Sequence, residues 1–225
     1  MLLLVLDTSG KHGIVALVRS GPEPRKIGVI ESVPLAGGTF SAQLVPQIAA
    51  LLAKHGFSKT DLEAFVIVSG PGSFTGLRVG LAAIKALAEI LGKPIVPVSL
   101  LEVIAFASRT RGRVMAALDA GRGEVYAGEY DVADSALVVR EQLIPTSEFI
   151  STARNLSVTT SDEGLAKSLH SAGIAAIQAF AGAEEIARVG LQKLAAGSSV
   201  KPEQLEANYI RRSDSEILAK PVPSS

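Results

Sequence analysis

The stretch Ser69-Gly-Pro-Gly-Ser-Phe-Thr-Gly-Leu-Arg-Val-Gly80 joins two segments whose patterns differ. Residues 64–68, which precede it, are apolar and mostly β-branched, and this is typical of a buried strand. Residues 76–91, which include its end, have the periodicity of a helix. The stretch therefore predicts a strand, a tight turn and a helix in succession, and the rest of the chain is interpreted outward from this unit.

The turn itself combines glycine with hydroxyl side chains. Gly70 and Gly72 allow backbone conformations or close approaches that a side chain would prevent. Ser73 or Thr75 can cap the helix, whose first N–H groups then point outward as a site for an anion or a partner. The spacing matches neither a P-loop nor the dinucleotide-binding fingerprint. On composition alone, a turn that needs glycine only for its geometry is the preferred interpretation.

The helix after the turn is unusually apolar. Its charged residues are Arg78, Lys85 and Glu89, whose spacing places them on one face, and the remaining residues are apolar or small. Gly76 and Gly80 are four residues apart and share a face along which another helix could approach closely. A helix of this kind is covered on more than one side, so we expect either a subunit interface or burial within one large domain.

The composition excludes several classes of function. Of 225 residues, 48% are hydrophobic, and 22 basic residues balance 22 acidic ones, so no net field attracts nucleic acid or an anionic membrane. The absence of cysteine excludes disulfides, thiolate metal sites and cysteine nucleophiles.

The histidines, His12, His55 and His170, lack the spacing of a metal-binding helix and are expected at the surface or in turns. No apolar run has the length of a membrane span, and the apolar start ends at Asp7, so we expect a soluble, cytoplasmic protein without a signal peptide.

One pattern of elements occurs twice along the chain. Residues 2–6 and 14–19 predict a β-hairpin around a turn that begins at Asp7. Residues 114–128 repeat this design around Asp119, and each hairpin is followed by further predicted strands and helices. An internal duplication explains the repeat most economically, and chance similarity of two hairpins is the alternative.

Two such halves predict a duplicated α/β fold of the two-lobed actin, Hsp70 and sugar-kinase type, in which each lobe is ribonuclease-H-like. We expect the first lobe at residues 1–109 and a smaller second lobe at residues 110–205. A tail at about residues 206–225 is expected to pack back on the first lobe. In this architecture, both aspartate turns face a cleft where nucleotide phosphates bind.

Three motifs make the resemblance more specific than the fold. They are Leu6-Asp-Thr-Ser9, the stretch Ser69–Arg78 and Ala117-Leu-Asp-Ala-Gly-Arg-Gly-Glu-Val-Tyr126, in that order. Together they resemble the TsaB (YeaZ) family, the non-catalytic subunit in bacterial synthesis of the threonylcarbamoyl modification on the tRNA adenosine beside the anticodon. Tyr209-Ile-Arg211 resembles the Tyr-Leu-Arg tail of that family, with Asn208 where a proline is common. The resemblance covers nearly the whole chain.

The resemblance implies a scaffold rather than an enzyme. It implies a heterodimer with the catalytic paralogue TsaD, recruitment of the ATPase TsaE, a homodimer when TsaD is absent, and contact with tRNA through the complex. TsaD holds a metal through a His-x-x-x-His helix, whereas the comparable helix here begins Phe40-Ser-Ala-Gln-Leu44, so we expect no metal site and no catalytic residue. We expect no intrinsic cofactor either, and we expect ATP or ADP to bind at most weakly, at the interface with a partner.

The predicted interface for TsaD, or for a second copy of the chain, is a four-helix contact made by the helices at residues 41–55 and 76–91. Its predicted contact residues are Leu44, Val45, Ile48, Leu52, Gly76, Arg78, Val79, Gly80, Ala83 and Leu87. The turn residues that carry the family motifs, and that would make any weak nucleotide contact, are Asp7, Thr8, Ser9, Gly70, Gly72, Ser73, Thr75 and Asp119.

Two other functions stay open at this point. An autonomous ATPase of the sugar-kinase superfamily would use Asp7 and Asp119 to hold Mg²⁺ through water and to position an attacking hydroxyl. The preferred interpretation of both aspartates is that they close hairpin turns through local hydrogen bonds. A glycoprotease-type metallopeptidase would need a bound metal, for which the sequence offers no ligand pattern, and no nucleophile-elbow motif is present.

Overall fold

A computed structural model describes residues 1–21 and 26–210, which form two five-stranded sheets with the same strand order. In the first sheet the order is β3-β2-β1-β4-β5, and in the second it is β8-β7-β6-β9-β10. The first three strands of each sheet are antiparallel, and the last two are parallel to the central strand. The duplicated, two-lobed α/β fold predicted from the two hairpins is therefore confirmed.

The bounds of the elements follow the predicted pattern closely. The strands are β1 (Leu2–Asp7), β2 (His12–Ser20), β3 (Ile27–Ala36), β4 (Ala64–Gly70), β5 (Ile95–Ser99), β6 (Gly112–Gly121), β7 (Glu124–Val132), β8 (Ala136–Pro145), β9 (Ser157–Thr160) and β10 (Ala176–Gln178). The helices are α1 (Phe40–Lys54), α2 (Phe74–Leu91), α3 (Leu100–Ala107), α4 (Thr146–Ala153), α5 (Glu163–Ser171) and α6 (Ala183–Ala195). Helix α2 thus begins two residues earlier than predicted.

The helices cover both faces of both sheets. Helices α1 and α2 pack on one face of the first sheet, and α6 packs on its other face. Helices α4 and α5 cover one face of the second sheet, and α3 covers the other. The helix that ends the first half therefore packs on the second sheet, and the last helix of the second half packs on the first sheet. These two helices also contact each other between the sheets.

The chain after α6 returns to the first lobe. Leu205 is buried in the core under α1 and α2, and the N–H group of Asn208 donates to the carbonyl oxygen of Ser69 over 2.8 Å. Residues 211–225, and with them Arg211 of the tail motif, lie outside the described residues. The lobe boundary after residue 109 and the packing of the whole tail stay predictions. Within residues 1–21 and 26–210, no helix has both the length and the apolar character that a membrane span requires.

Candidate functional site

The turn before α2 is docked on the turn that follows β1. The N–H group of Ser73 donates to the carbonyl oxygen of Ser9 over 2.6 Å, and Ser73 Oγ caps the helix by accepting from the N–H group of Gly76 over 3.3 Å. Gly72 is held so closely that a Cβ there would lie 2.3 Å from the Ser9 carbonyl oxygen. Two of the three family motifs therefore form one contact inside the first lobe, and Ser73 rather than Thr75 is the cap.

The glycines of α2 face the same turn. A Cβ at Gly76 would lie 2.1 Å from the carbonyl oxygen of Thr8, and a Cβ at Gly80 would lie 2.3 Å from Thr8 Oγ1. Thr8 is fully buried, and its Oγ1 has no hydrogen-bond partner among the described residues. The expectation that a second helix approaches along this face is wrong for these two glycines, because Thr8 of the chain itself fills the space.

The two aspartate turns differ in exposure. Asp7 is buried, and its Oδ1 accepts hydrogen bonds from the N–H group of Ser9 over 2.7 Å and from Ser9 Oγ over 2.6 Å. Burial raises the pKa of the Asp7 carboxyl, and the two hydrogen bonds from Ser9 offset part of this rise. Asp119 is exposed and accepts from the N–H group of Gly121 over 2.9 Å. Each aspartate thus bonds within its own turn.

The remaining turn residues do not all line one pocket. Gly70 has a φ of +133° and joins Pro71 through a cis peptide bond. Ser73 and Thr75 line an open pocket of about 470 Å³ beside the first residues of α1 and α2, together with Lys11. Asp7, Thr8 and Ser9 are buried and are not among the residues that line this pocket. Asp119 belongs to the hairpin of the second sheet, so the aspartates do not share the pocket.

The predicted interface residues of α1 divide into core and surface. Leu44, Ile48 and Leu52 are at most 5% exposed and belong to the core under α1 and α2. Their prediction as contact residues is wrong, because their side chains are covered by the first sheet and by α2. Val45, by contrast, is 59% exposed. Helical periodicity identified the apolar stripe of α1 but could not tell that this stripe faces the sheet.

The predicted interface residues of α2 also differ in exposure. Arg78 is exposed, whereas Val79, Ala83 and Leu87 are partly buried against the core. Beside them, the exposed residues Ala82, Ala86 and Ile90 form the outer surface of the helix, and Ile90 is 71% exposed. The alanines were missed because alanine carries little weight in a hydrophobic pattern.

Together, the outer sides of the two neighbouring helices form a surface of small and apolar residues, named here the α1–α2 face. It consists of Ala42, Val45, Pro46, Ala49, Ala53, Ala82, Ala86 and Ile90. In α1 these residues recur at helical spacing on the side opposite the core stripe, and this second stripe is a signal from which the sequence could have predicted the face.

Aromatic and cationic side chains border this face. The guanidinium carbon of Arg78 lies 3.6 Å from the ring centroid of Phe74, and the ring of Tyr209 lies 5.3 Å from the Phe74 ring, centroid to centroid. Arg78 Nε donates to the hydroxyl of Tyr209 over 3.3 Å. Phe74 and Tyr209 are each 38% exposed. The three side chains, named here the aromatic cluster, bring the tail motif to the first turn of α2.

The described part of the chain shows no group of three or more His, Asp or Glu side chains arranged to hold a metal ion. His12 and His170 are exposed. His55 Nε2 lies 2.7 Å from Glu31 Oε2 at the end of α1. Each histidine therefore lies in a setting that is ordinary for a surface residue.

Comparison with known proteins gives relatives named for threonylcarbamoyladenosine synthesis on tRNA. The family model for TsaD, tRNA N6-adenosine threonylcarbamoyltransferase, matches residues 33–205, which is more than half of the chain. The Bacillus subtilis tRNA threonylcarbamoyladenosine biosynthesis protein TsaB is 34% identical over 146 residues, which are 64% of this chain and 60% of that protein. The protein of the same name from Escherichia coli is 35% identical over 133 residues, 58% of this chain and 55% of its own length. The chain thus spans less than two thirds of the length of these relatives.

Solved structures extend the likeness to nearly the whole chain. YeaZ from Pseudomonas aeruginosa has a TM-score of 0.71 at 25% identity, over 92% of this chain and 100% of that chain. A Pseudomonas aeruginosa protein described as similar to peptidase YeaZ has a TM-score of 0.75 at 26% identity, over 93% of this chain and 99% of that chain. From the motifs, the duplicated fold and these matches, the chain belongs to the TsaB (YeaZ) family, which shares its domain with the threonylcarbamoyltransferase TsaD.

Proposed function

We propose that this chain is a non-catalytic subunit that binds TsaD during synthesis of threonylcarbamoyladenosine on tRNA. Relatives named for that biosynthesis support the process, and the matched family model supports a paralogue of the transferase as the partner. The observation that carries the proposal is the α1–α2 face, an exposed surface of small and apolar side chains on two adjacent helices.

A surface of this composition favours close contact between helices. Exposed apolar patches on folded domains mark interaction sites, and alanine allows the backbones of packed helices to approach one another. Arg78, Lys85 and Glu89 lie on α2 near the edge of the face, where a polar rim is expected. Because TsaD shares the domain, it carries an equivalent pair of helices, so the contact we propose is a four-helix packing between paralogues.

The same face serves a second copy of the chain when TsaD is absent. Homodimer and heterodimer therefore compete, and TsaE joins only the complex that contains TsaD. In this proposal the chain contacts tRNA only as part of the complex, since it has no net positive charge of its own. Because tRNA is modified in the cytoplasm, the proposed process implies a cytoplasmic location.

A charged residue in the centre of the face tests the proposal. Ala86 is exposed on α2, so Ala86→Glu leaves the core unchanged and places a carboxylate in the contact. We expect the variant to keep the circular dichroism spectrum of the folded wild type, to be a monomer by gel filtration with light scattering, and to fail to bind TsaD. Ala195→Glu, at an exposed alanine of α6 outside the face, is the matched control and should bind normally. Normal TsaD binding by Ala86→Glu would show that another surface is used.

An autonomous ATPase is not favoured by the geometry. The Asp7 carboxylate is buried and accepts both of its hydrogen bonds from Ser9. It does not line the pocket formed by Ser73, Thr75 and Lys11, and Asp119 belongs to the other sheet. We therefore assign any weak binding of ATP or ADP to this pocket, beside the α1–α2 face. ATP hydrolysis by the purified chain, lost on Asp7→Asn, would overturn the assignment.

A further inference from the structure

Glu141 connects three parts of the chain through one carboxylate. It lies on β8, at the edge of the second sheet. Its Oε1 accepts hydrogen bonds from the hydroxyl of Tyr130 on β7 and from Ser99 Oγ, the latter over 2.5 Å. Its Oε2 accepts from Asn208 Nδ2 over 2.6 Å. Ser99 ends β5 of the first sheet, so Glu141 joins both sheets and the chain that follows α6.

The hydrogen-bond donors around Glu141 hold its carboxylate in one orientation. Burial and the nearby charge of Glu141 raise the pKa of the Tyr130 hydroxyl, so Tyr130 stays protonated and donates. Hydrogen bonds to an ionised acceptor are stronger than those between neutral groups. The amide of Asn208 therefore meets an acceptor whose orientation is fixed by two other donors.

Residues 205–210, named here the crossing segment, pass from one lobe to the other. Leu205 is buried in the core under α1 and α2, and Ile210 packs on the core between α3 and the second sheet. Asn208 lies between these ends and makes two bonds, through its N–H group to the Ser69 carbonyl oxygen and through Nδ2 to Glu141. Its carbonyl oxygen would lie 2.7 Å from a Cβ at Gly70, so the segment also packs directly on the turn before α2.

The crossing segment places Tyr209 on the first turn of α2. Tyr209 directly follows Asn208, and its ring and hydroxyl contact Phe74 and Arg78 in the aromatic cluster. Since Tyr209 is 38% exposed, burial alone does not fix its position. The two hydrogen bonds of Asn208, the residue before Tyr209, hold the backbone in the orientation that brings Tyr209 to α2.

We propose that Glu141 is a positioning residue: by holding Asn208, it fixes the crossing segment between the lobes and orders the aromatic cluster at the border of the α1–α2 face. The part of this inference that concerns TsaD rests on the proposed function, while the joining of the lobes does not. A change in the second lobe is thereby transmitted to the partner surface of the first lobe.

Exchanging donor and acceptor tests the proposal. Asn208→Asp replaces the donor by a carboxylate that faces Glu141, so we expect the backbone amides of residues 208–210 to lose protection against hydrogen exchange by about tenfold or more. Adding Glu141→Gln restores one donor opposite one acceptor, and the double variant should regain most of that protection. Asn155→Asp, the same change at an exposed turn, is the matched control and should leave the protection of these amides unchanged.

Two readouts separate this inference from the proposed function. Affinity for TsaD, measured by calorimetry, should fall about tenfold in Asn208→Asp and recover in the double variant, with no change in Asn155→Asp. Unchanged protection in Asn208→Asp, or no recovery in the double variant, would overturn the inference. Full affinity despite lost protection would overturn the part of it that concerns TsaD. If the wild-type chain itself does not bind TsaD, the proposed function is wrong, and hydrogen exchange alone then decides whether Glu141 joins the lobes.

Discussion

The contact between α2 and the Thr8 turn gives a quantitative prediction. In Gly76→Ala, the new Cβ would lie 2.1 Å from the backbone oxygen of Thr8, so no side-chain rotation relieves the clash. Overpacking costs about 3 kcal/mol at the severe end, and alanine regains about 1 kcal/mol of helix propensity over glycine. We therefore expect the free energy of unfolding to fall by about 2 kcal/mol and the melting temperature by about 4–8 °C.

A second glycine makes the test specific, because in Gly80→Ala the clash is with the Thr8 side chain at 2.3 Å. Thr8→Ala removes that oxygen, which has no hydrogen-bond partner within the part of the chain described. In the Thr8→Ala background, Gly80→Ala should become neutral or stabilising by up to about 1 kcal/mol, whereas Gly76→Ala should stay destabilising by about 2 kcal/mol.

Thermal and urea denaturation of the single and double variants measure this cycle. Gly28→Ala is the matched control, since a Cβ at Gly28 meets no atom within 4 Å, and it should change the free energy of unfolding by less than about 0.5 kcal/mol. Wild-type stability of Gly76→Ala, or equal rescue of both alanine variants by Thr8→Ala, would refute the packing argument.

Two further predictions concern Asp7 and Ser73. Burial raises the pKa of Asp7 in the folded state, so its contribution to stability is full below its unfolded pKa and is lost as pH rises through the folded value. Asp7→Asn should therefore lose less stability than the wild type as the pH rises above about 4, the ordinary pKa of an aspartate, in urea denaturation, and equal losses would contradict this. Ser73→Ala removes the cap of α2 and should cost about 1 kcal/mol, seen as a melting temperature lower by about 2–4 °C. Thr75→Ala, at an exposed side chain that is not the cap, should melt within about 1 °C of the wild type, and an equal effect of both changes would remove the role of Ser73.

The sequence by itself determined the order and type of the elements. The hairpin around Asp7, its repeat around Asp119 and the strand–turn–helix unit at residues 64–91 were all predicted near their observed bounds. These features depend on local rules, because apolar periodicity, glycine in turns and capping side chains act over a few residues. The duplicated fold followed from them, since two equal series of elements bury their apolar faces in the same way.

Only the tertiary structure decided which side of each helix faces the core, a neighbouring turn or solvent. The sequence predicted that α2 is covered on more than one side, but it could not tell that Thr8 fills the glycine face or that Leu44 lies in the core. The contacts from Asn208 to Glu141 and from Tyr209 to Phe74 span long stretches of chain and leave no local signal. The physical reason is that periodicity gives the angle between side chains around one helix, whereas the direction in which that helix faces is set by the packing of all its neighbours.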